Sequence, residues 1–114
     1  MSYLSRLNAY RIMWIFVIFD LPTTEKKDRR NYRKFVDNLE ADGFIRLQYS
    51  VYMRHCSSRE DATVHRNRIK RVLPPAGEIV LMHLTDKQFG MMEFFVGKKT
   101  STAPESGKQL TIFD

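Results

Sequence analysis

A single carboxylate stands where a predicted buried strand reaches solvent. Eight apolar residues at positions 12–19, rich in β-branched and aromatic types, are followed directly by Asp20. A run of this length and composition predicts a strand buried on both faces. Asp20 would then emerge at the carboxyl end of the strand, within reach of a metal ion or a phosphate, or it would simply begin the turn that continues through Leu21 and Pro22. Position alone leaves both interpretations open.

Basic side chains follow within a few residues of this carboxylate. Four of them lie close together: Lys26, Lys27, Arg29 and Arg30. On a helix they could contact successive phosphates, and such contacts supply most of the affinity of proteins for duplex DNA. The acidic residues interspersed with them favour an alternative, an ordinary helix surface with salt bridges. A second basic pair, Lys98 and Lys99, follows Gly97 on a segment that the composition predicts to be flexible.

The histidines and the cysteine form no recognisable site in the sequence. His55, His65 and His83 are dispersed, without the spacing of paired metal ligands, and His65 falls on the apolar face of a predicted helix, which favours a place in the core. Cys56 is the only cysteine, so no internal disulfide can form, and a small buried residue in a reducing compartment is expected. The sequence contains no glycine-rich phosphate loop and no nucleophile elbow.

Length and charge favour a small domain with a polyanionic partner. The 114 residues are enough for one domain, and 19 basic against 13 acidic side chains give a net charge of +6. Arg6 and Arg11 before the apolar run resemble the start of a signal peptide, but no cleavage site of small residues follows. The apolar run is also far shorter than the roughly 20 residues that cross a bilayer. We therefore expect a cytoplasmic protein without a membrane segment.

Hydrophobic periodicity predicts strands and helices in alternation. The predicted elements, in order, are a strand at 12–19, a helix from about 24 to 42, one strand or two kinked strands at 44–56, a helix at 58–73, and strands at 78–84 and 92–96. Thr23 or Thr24 is the expected cap of the first helix, Gly43 its stop, and Ser58 the cap of the second. The order β-α-β-β-α-β predicts an α+β fold, a ferredoxin-like sandwich with extra C-terminal strands.

One face of this sheet needs a cover that the two helices do not provide. The aromatic residues predicted for the strands are many for a face in contact with water: Trp14, Phe16, Tyr52, Phe94 and Phe95. A homodimer packed sheet against sheet would cover them, and it would bring two copies of Asp20 together. The ferredoxin-like domain is predicted at 1–97, with 1–11 as an N-terminal extension. Residues 98–114 are predicted to be a linker and a C-terminal docking strand.

The chain resembles the CRISPR-associated protein 2 family over nearly its whole length. The segments that carry the resemblance are the strand ending at Asp20, the basic helix start, Leu47–Tyr52 and Ile79–Leu84. Two further stretches, Tyr52–Cys56 and Leu84–Phe89, are similar to the branch that accompanies the large single-effector (type II) systems. The individual motifs are short, and the combination in this order is specific.

The resemblance implies a homodimer that acts in spacer acquisition. Such a dimer bridges two dimers of the CRISPR-associated protein 1 integrase and holds the middle of the incoming double-stranded DNA. Asp20 corresponds to the proposed metal ligand of family members that act as nucleases. The Lys26–Arg30 region and the pair Lys98 and Lys99 correspond to phosphate-contacting positions. Gln109–Phe113 resembles a terminal strand that pairs at the interface with the integrase, with Leu110, Ile112 and Phe113 as its anchors.

Three functions remain as hypotheses. The leading one is a DNA-binding architectural subunit of the integration complex. Many side chains suit contact with phosphates, whereas only one carboxylate is a candidate metal ligand. The alternative is a metal-dependent endonuclease, in which Asp20 from both subunits holds Mg²⁺ that activates water for hydrolysis of RNA or DNA. A small RNA-binding module is disfavoured, since the strand aromatics lack the arrangement of exposed stacking platforms. For the tail, binding to the replication sliding clamp or closing an edge of its own dimer are rivals of integrase docking.

Overall fold

A computed structural model describes residues 12–97 and 99–101, with the side chains of residues 13–97. Its elements, in chain order, are β1 (Ile12–Asp20), α1 (Lys26–Ala41), β2 (Ile45–Gln48), β3 (Val51–His55), α2 (Arg59–Arg71), β4 (Glu78–Thr85), α3 (Asp86–Gly90), β5 (Phe94–Val96) and β6 (Lys99–Ser101). The first six follow the order β-α-β-β-α-β, which confirms the predicted α+β, ferredoxin-like class.

The sheet has four antiparallel strands in the order β2-β3-β1-β4. The predicted strand at 44–56 is therefore two strands, which pair with each other and turn at Tyr49 and Ser50. The backbone N–H of Phe19 donates to the carbonyl of Ser50 at 3.1 Å, which ties this turn to the end of β1. Side chains alternate along β1, so the sheet has a first face and a second face.

The first face forms the main core under α1 and α2. From β1 it carries Ile15 and Val17, which are fully buried. The helices pack on it through buried apolar residues at helical spacing, namely Phe35, Val36 and Leu39 of α1 and Ala62 and Ile69 of α2. These positions agree with the periodicity in the sequence, because i, i+3 and i+4 lie on one side of a helix.

The predicted N-cap of α1 is wrong by one or two residues. Glu25 is the capping position, and its backbone N–H donates to Oδ2 of Asp28 at 3.2 Å. The carbonyls of Thr23 and Thr24 accept hydrogen bonds from Nη1 of Arg29, at 3.0 and 2.9 Å. Threonine is favoured as a cap because its hydroxyl can accept a hydrogen bond from a free helix N–H. Here the threonines contribute only backbone carbonyls to Arg29, and the free N–H of Glu25 is bonded by the carboxylate of Asp28.

The predicted stop of α1 at Gly43 and the predicted cap of α2 at Ser58 are confirmed, while α2 ends at Arg71, two residues before the predicted end. Gly43 has φ of +85°, and its N–H donates to the carbonyl of Glu40 at 3.0 Å, while the N–H of Phe44 donates to the carbonyl of Leu39 at 3.0 Å. This pair of bonds is a Schellman motif, which requires the left-handed conformation that glycine adopts without strain. Ser58 caps α2, since its hydroxyl oxygen accepts from the N–H of Asp61 at 3.0 Å.

The second face has a smaller core of its own, and the sequence did not predict the helix that covers it. Trp14 and Phe16 of β1 pack with Phe89 of α3 and Phe94 of β5. The Trp14 and Phe89 rings stack at 3.7 Å between centroids, and Nε1 of Trp14 donates to Oδ1 of Asp86 at 2.8 Å. Part of the predicted excess of aromatics is thus covered within one chain.

Two further sequence expectations change in the structure. Tyr52 lies on the first face, only 3% exposed, and not among the aromatics of the second face. β5 begins at Phe94, not at 92, and β6 pairs with it inside the stretch predicted as linker. The N-terminal extension 1–11 and the predicted strand 109–113 lie outside the described residues, so the domain boundary at residue 97 stays a prediction.

Candidate nucleic-acid interface

Asp20 is the exposed last residue of β1, as the sequence predicted. The structure adds a second carboxylate, because Glu78 of β4 is its cross-strand partner. Directly paired residues share a face of the sheet. Since Phe19 and Leu21 belong to the core of the first face, Asp20 and Glu78 project from the second face, away from α1.

Gly77 fixes the backbone beside this pair of carboxylates. Its φ is +100°, and a Cβ at this position would lie 2.8 Å from the carbonyl oxygen of Asp20 and 2.5 Å from Cδ2 of Leu21. No side chain fits there without displacing the Asp20 backbone. The glycine therefore permits the close approach that sets the position of both carboxylates.

One chain does not complete a metal site around Asp20. Among the described residues there is no group of three or more histidine, cysteine, aspartate or glutamate side chains that could hold an ion. Mg²⁺ takes oxygen ligands in octahedral geometry and is commonly held by one or two carboxylates together with phosphate oxygens. Asp20 and Glu78 match the chemistry of such ligands, and the remaining oxygens would be those of water, of a substrate phosphate or of a second copy of the chain.

The basic residues at the start of α1 divide into two sets. Lys26, Lys27, Arg30 and Lys34 are all exposed and lie on the side of the helix opposite its buried residues; we call these four the outer stripe. Arg29 instead turns towards the preceding loop, where it donates to the two threonine carbonyls. The sequence grouped Arg29 with its neighbours, and the 100° rotation per residue of a helix separates them.

The outer stripe is mostly free of salt bridges. Lys27 lies 3.6 Å from a carboxylate oxygen of Glu25, and both side chains are largely exposed. Within residues 13–97, Lys26, Arg30 and Lys34 have no carboxylate at salt-bridge distance. The alternative left open by the sequence, an ordinary helix surface with salt bridges, therefore applies only to Lys27 among the four residues of the stripe. The positive charge of the stripe is available to a partner.

Several predicted site residues lie outside the region where side chains are described. Lys98 is not described, and Lys99 is described only as the backbone of β6. Leu110, Ile112 and Phe113 also lie outside the described residues. Their predicted roles stay predictions.

Sequence analysis missed a cluster of charged side chains around buried His65 at the other end of α1. Nδ1 of His65 lies 2.7 Å from Oδ2 of Asp42, and Nε2 lies 3.2 Å from Oδ1 of Asp61. Arg68 adds a contact of 2.6 Å between its Nη1 and Oδ1 of Asp42. His65 is buried, as expected, yet it is held by two carboxylates and is not simply packed among apolar groups. Only the i, i+4 spacing of Asp61 and His65 could have signalled this cluster.

The second face keeps an apolar patch beyond the cover of α3 and β5. Ile45, Val80 and Met82 are 38%, 57% and 40% exposed. Met82 pairs with Phe16 across β1 and β4, and Val80 pairs with Ile18, so the patch runs along the second face towards Asp20 and Glu78. We call Val80 and Met82, which lie together on β4, the open patch; Ile45 lies on β2, at the opposite edge of the sheet. Among the described residues, no helix is long and apolar enough to cross a bilayer.

Comparison with known proteins identifies the family. Residues 13–92 match the family model described as CRISPR associated protein Cas2. The chain belongs to this family. A relative from Flavobacterium psychrophilum is 50% identical over 109 residues, which are 96% of this chain and 95% of that protein. A relative from Parvibaculum lavamentivorans is 46% identical over 101 residues, which are 89% of this chain and 100% of that protein.

A third family member, from Ligilactobacillus salivarius, is 40% identical over 100 residues, which are 88% of this chain and 99% of that protein. All three relatives carry the name CRISPR-associated endoribonuclease Cas2. Because nearly the full length of each relative is matched, the resemblance first seen in short motifs extends to the whole domain. The predicted family is confirmed, and the type II branch remains a finer question.

Proposed function

We propose that the chain is a DNA-binding architectural subunit of the CRISPR spacer-integration complex. In this role a homodimer bridges two integrase dimers and holds the incoming duplex, while the integrase carries out the chemistry. The observation that carries the proposal is the outer stripe, four cations on one exposed side of a rigid helix with a single salt bridge among them. A scaffold for DNA needs fixed positive charges, and a phosphate contact needs no active site.

Duplex binding through the stripe has a definite electrostatic signature. The chain carries a net charge of +6, and each phosphate neutralised by a lysine or arginine releases a condensed counterion. The logarithm of the binding constant then falls with the logarithm of the salt concentration, with a slope of about 0.9 for each neutralised phosphate. Affinity from this source is independent of base sequence.

The homodimer is supported by the open patch. A two-fold axis across the second face would set the patch of one copy against the same patch of the other, as an isologous interface requires. The exposed Val80 and Met82 would then be covered, and the carboxylates of Asp20 from both copies would approach each other. Sedimentation at micromolar concentration should give twice the 13.5 kDa chain mass; a monomer would contradict the dimer and any site shared between copies.

The test of duplex binding replaces three cations of the stripe by glutamine: Lys26→Gln, Lys27→Gln and Arg30→Gln. We expect weaker binding to every duplex sequence and a salt slope that flattens by about 0.9 for each phosphate that is no longer neutralised. The matched control removes three exposed charges from α2: Arg59→Gln, Arg66→Gln and Lys70→Gln. Equally weakened binding in the two variants, or an unchanged slope in the first, would refute a specific role of the stripe.

A metal-dependent endonuclease is the second candidate, and two observations favour it. The curated relatives are named endoribonucleases, and Glu78 stands opposite Asp20. In this function Asp20 and Glu78 would hold Mg²⁺, whose chemistry is to activate water and to stabilise the leaving oxygen. Cleavage of RNA or DNA that requires Mg²⁺, disappears in Asp20→Asn and persists in the control Glu93→Gln would support it. Cleavage that survives Asp20→Asn would point to a contaminant.

The C-terminal segment is proposed to dock on the integrase. Gln109–Phe113 alternates apolar and polar residues, which suits addition to a sheet edge, with backbone hydrogen bonds for affinity and Leu110, Ile112 and Phe113 as anchors. Deleting residues 109–114 tests the proposal. Loss of integrase binding with an intact dimer supports docking, and loss of the dimer means that the tail closes its own edge. If neither changes, binding to the sliding clamp becomes the better account.

We further propose that the chain belongs to the branch that accompanies single-effector, type II systems. The support is the resemblance of two stretches, Tyr52–Cys56 and Leu84–Phe89, to that branch. The two stretches also meet in the fold, where Nε2 of His55 lies 3.4 Å from Oδ1 of Asp86. A gene for a large single-protein effector beside the gene for this chain would agree with the proposal, and a multi-subunit effector there would contradict it.

A further inference from the structure

A cleft on the first-face side of the molecule is lined by both cations and phenol rings. It lies between α1 and the β2–β3 hairpin and has a volume of about 490 Å³. Its side chains include three arginines, three tyrosines and one glutamate; those that matter most are Arg29, Arg33, Arg46, Tyr32, Tyr49 and Glu40. Small-ligand sites measure about 300–1,000 Å³, so the tyrosine–arginine cleft has room for one nucleotide.

The charge of the cleft favours an anion at one end. Arg29 is held by the carbonyls of Thr23 and Thr24 through one of its nitrogens, and a guanidinium has five N–H donors in all. Its position is therefore set before any ligand arrives, while donors remain for a phosphate. In the described part of the chain, Arg33, one turn further along α1, has neither an ion pair nor a hydrogen bond. Two arginines one turn apart suit the oxygens of a single phosphate.

The turn between β2 and β3 supplies an aromatic platform beside these arginines. Tyr49 is 70% exposed, and its ring centroid lies 6.2 Å from that of Tyr32. The hydroxyl of Tyr32 donates to the carbonyl of Tyr49 over 3.5 Å, which braces the turn. An exposed ring next to phosphate-binding cations is the arrangement on which unpaired bases stack, because every base has a π face.

The far end of the cleft combines a carboxylate with an arginine, so positive charge is in excess only at the Arg29 end. Glu40 is eleven residues from Arg29, about 16 Å along the helix axis. Its Oε1 accepts a hydrogen bond from the hydroxyl of Tyr52 over 3.5 Å. Burial raises the pKa of Tyr52 to about 12 and also raises the pKa of Tyr32, so both phenols stay neutral at physiological pH. Arg46, the cross-strand partner of Tyr52, lies at this same end and offsets the charge of Glu40. A phosphate is therefore favoured at the other end, where Arg29 and Arg33 lie one turn apart.

We propose that the tyrosine–arginine cleft binds one unstacked nucleotide, with its phosphate on Arg29 and Arg33 and its base over the ring of Tyr49. The nucleotide has two potential sources, a free mononucleotide or an unpaired nucleotide at the end of a strand. The cleft is distinct from the outer stripe, since Arg29 and Arg33 line it and none of the four stripe residues does. The inference goes beyond the architectural function, and binding can be measured without the integrase.

The experiment measures binding to the full chain by calorimetry with four probes. They are adenosine 5′-monophosphate, adenosine, a blunt DNA duplex, and the same duplex with one unpaired nucleotide at each end. We expect the monophosphate to bind more tightly than adenosine, or the frayed duplex more tightly than the blunt one. Binding of the monophosphate identifies a free nucleotide as a sufficient ligand, and a preference for the frayed duplex alone identifies the strand end as the source.

Three variants locate the binding. Tyr49→Ala should weaken nucleotide binding by about tenfold, within the range of one base–aromatic stack, while Tyr49→Phe keeps the ring and should keep the affinity. Arg33→Gln should reduce the preference for the monophosphate over adenosine, with Arg29 left as the remaining cation. All three should leave the salt slope for the blunt duplex unchanged, so that failure of the cleft is distinguishable from failure of the stripe.

Two results would overturn the proposal. The first is a native chain that binds neither the monophosphate nor the unpaired end better than their controls. The second is nucleotide binding that survives Tyr49→Ala and Arg33→Gln undiminished, because the ligand would then lie elsewhere.

Discussion

Gly77→Ala tests the backbone arrangement that positions the candidate carboxylates. At φ of +100° an alanine is strained, and residues held in such sparsely populated regions cost about 1–3 kcal/mol. The added Cβ would also lie 2.8 Å from the carbonyl oxygen of Asp20. Leu21 can move its terminal methyl group away, but the Asp20 carbonyl belongs to the backbone of β1 and cannot shift without disturbing its pairing with β4.

The two effects together should lower the free energy of unfolding by about 2–6 kcal/mol, since overpacking adds about 1–3 kcal/mol to a conformational strain of about 1–3 kcal/mol. A domain of this size has a total stability of about 5–15 kcal/mol. The melting temperature should therefore fall by roughly 10 °C or more at equal protein concentration. The assay is urea unfolding followed by circular dichroism, with the melting temperature as a second measure.

Gly90→Ala is the matched control. Gly90 ends α3 without a positive φ, and no atom lies within 4 Å of the position of an added Cβ. Alanine is a better helix former than glycine by about 1 kcal/mol, so this variant should be neutral or slightly more stable. A Gly77→Ala protein within about 0.5 kcal/mol of the native chain, the scatter of ordinary surface substitutions, would refute the close approach of Gly77 and Asp20.

Three further predictions concern stability and reactivity. The pKa of Asp61 is lowered, chiefly because the backbone N–H of Ser57 donates to its carboxylate. The stability that this carboxylate contributes is present above the unfolded pKa and is lost as pH falls through the folded pKa. In Asp61→Asn, the free energy of unfolding measured in urea should therefore fall less steeply as pH drops below about 4, the ordinary pKa of an aspartate. Burial raises the pKa of Cys56 to about 11, so the native thiol should resist Ellman's reagent at pH 8 and react on unfolding. Trp14→Phe removes the hydrogen bond to the Asp86 carboxylate and should lower the free energy of unfolding by about 1–3 kcal/mol; an unchanged urea midpoint would contradict that bond.

The fold could be predicted because its signals are local. The apolar run of β1, the 3.6-residue periodicity of α1 and α2 and the Gly43 stop are each read within a few neighbouring residues. α3 was missed because its single turn is too short to show a period. Glu25 is the capping position because Asp28 accepts the hydrogen bond of its backbone N–H, an arrangement that the preference for a threonine hydroxyl does not predict.

The candidate sites divide in the same way. Asp20 and the basic start of α1 could be predicted from the sequence, since Asp20 ends a predicted strand and the basic residues begin a predicted helix. Glu78 was not, because its position opposite Asp20 depends on the register of two strands that are far apart in sequence. The tyrosine–arginine cleft was missed for the same reason, as Tyr49 approaches Arg29 and Arg33 only when the β2–β3 hairpin packs beside α1.

The most direct test of the architectural role is integration by the reconstituted complex. The purified integrase, a short duplex and a target plasmid are combined with a chain that carries Asp20→Asn and Glu78→Gln, and the joined products are counted. An architectural subunit leaves the chemistry to its partner, so integration should proceed close to the native rate, whereas the three-residue stripe variant should lose it. Loss of integration in the carboxylate variant, with its dimer and its affinity for the duplex intact, would contradict the architectural role.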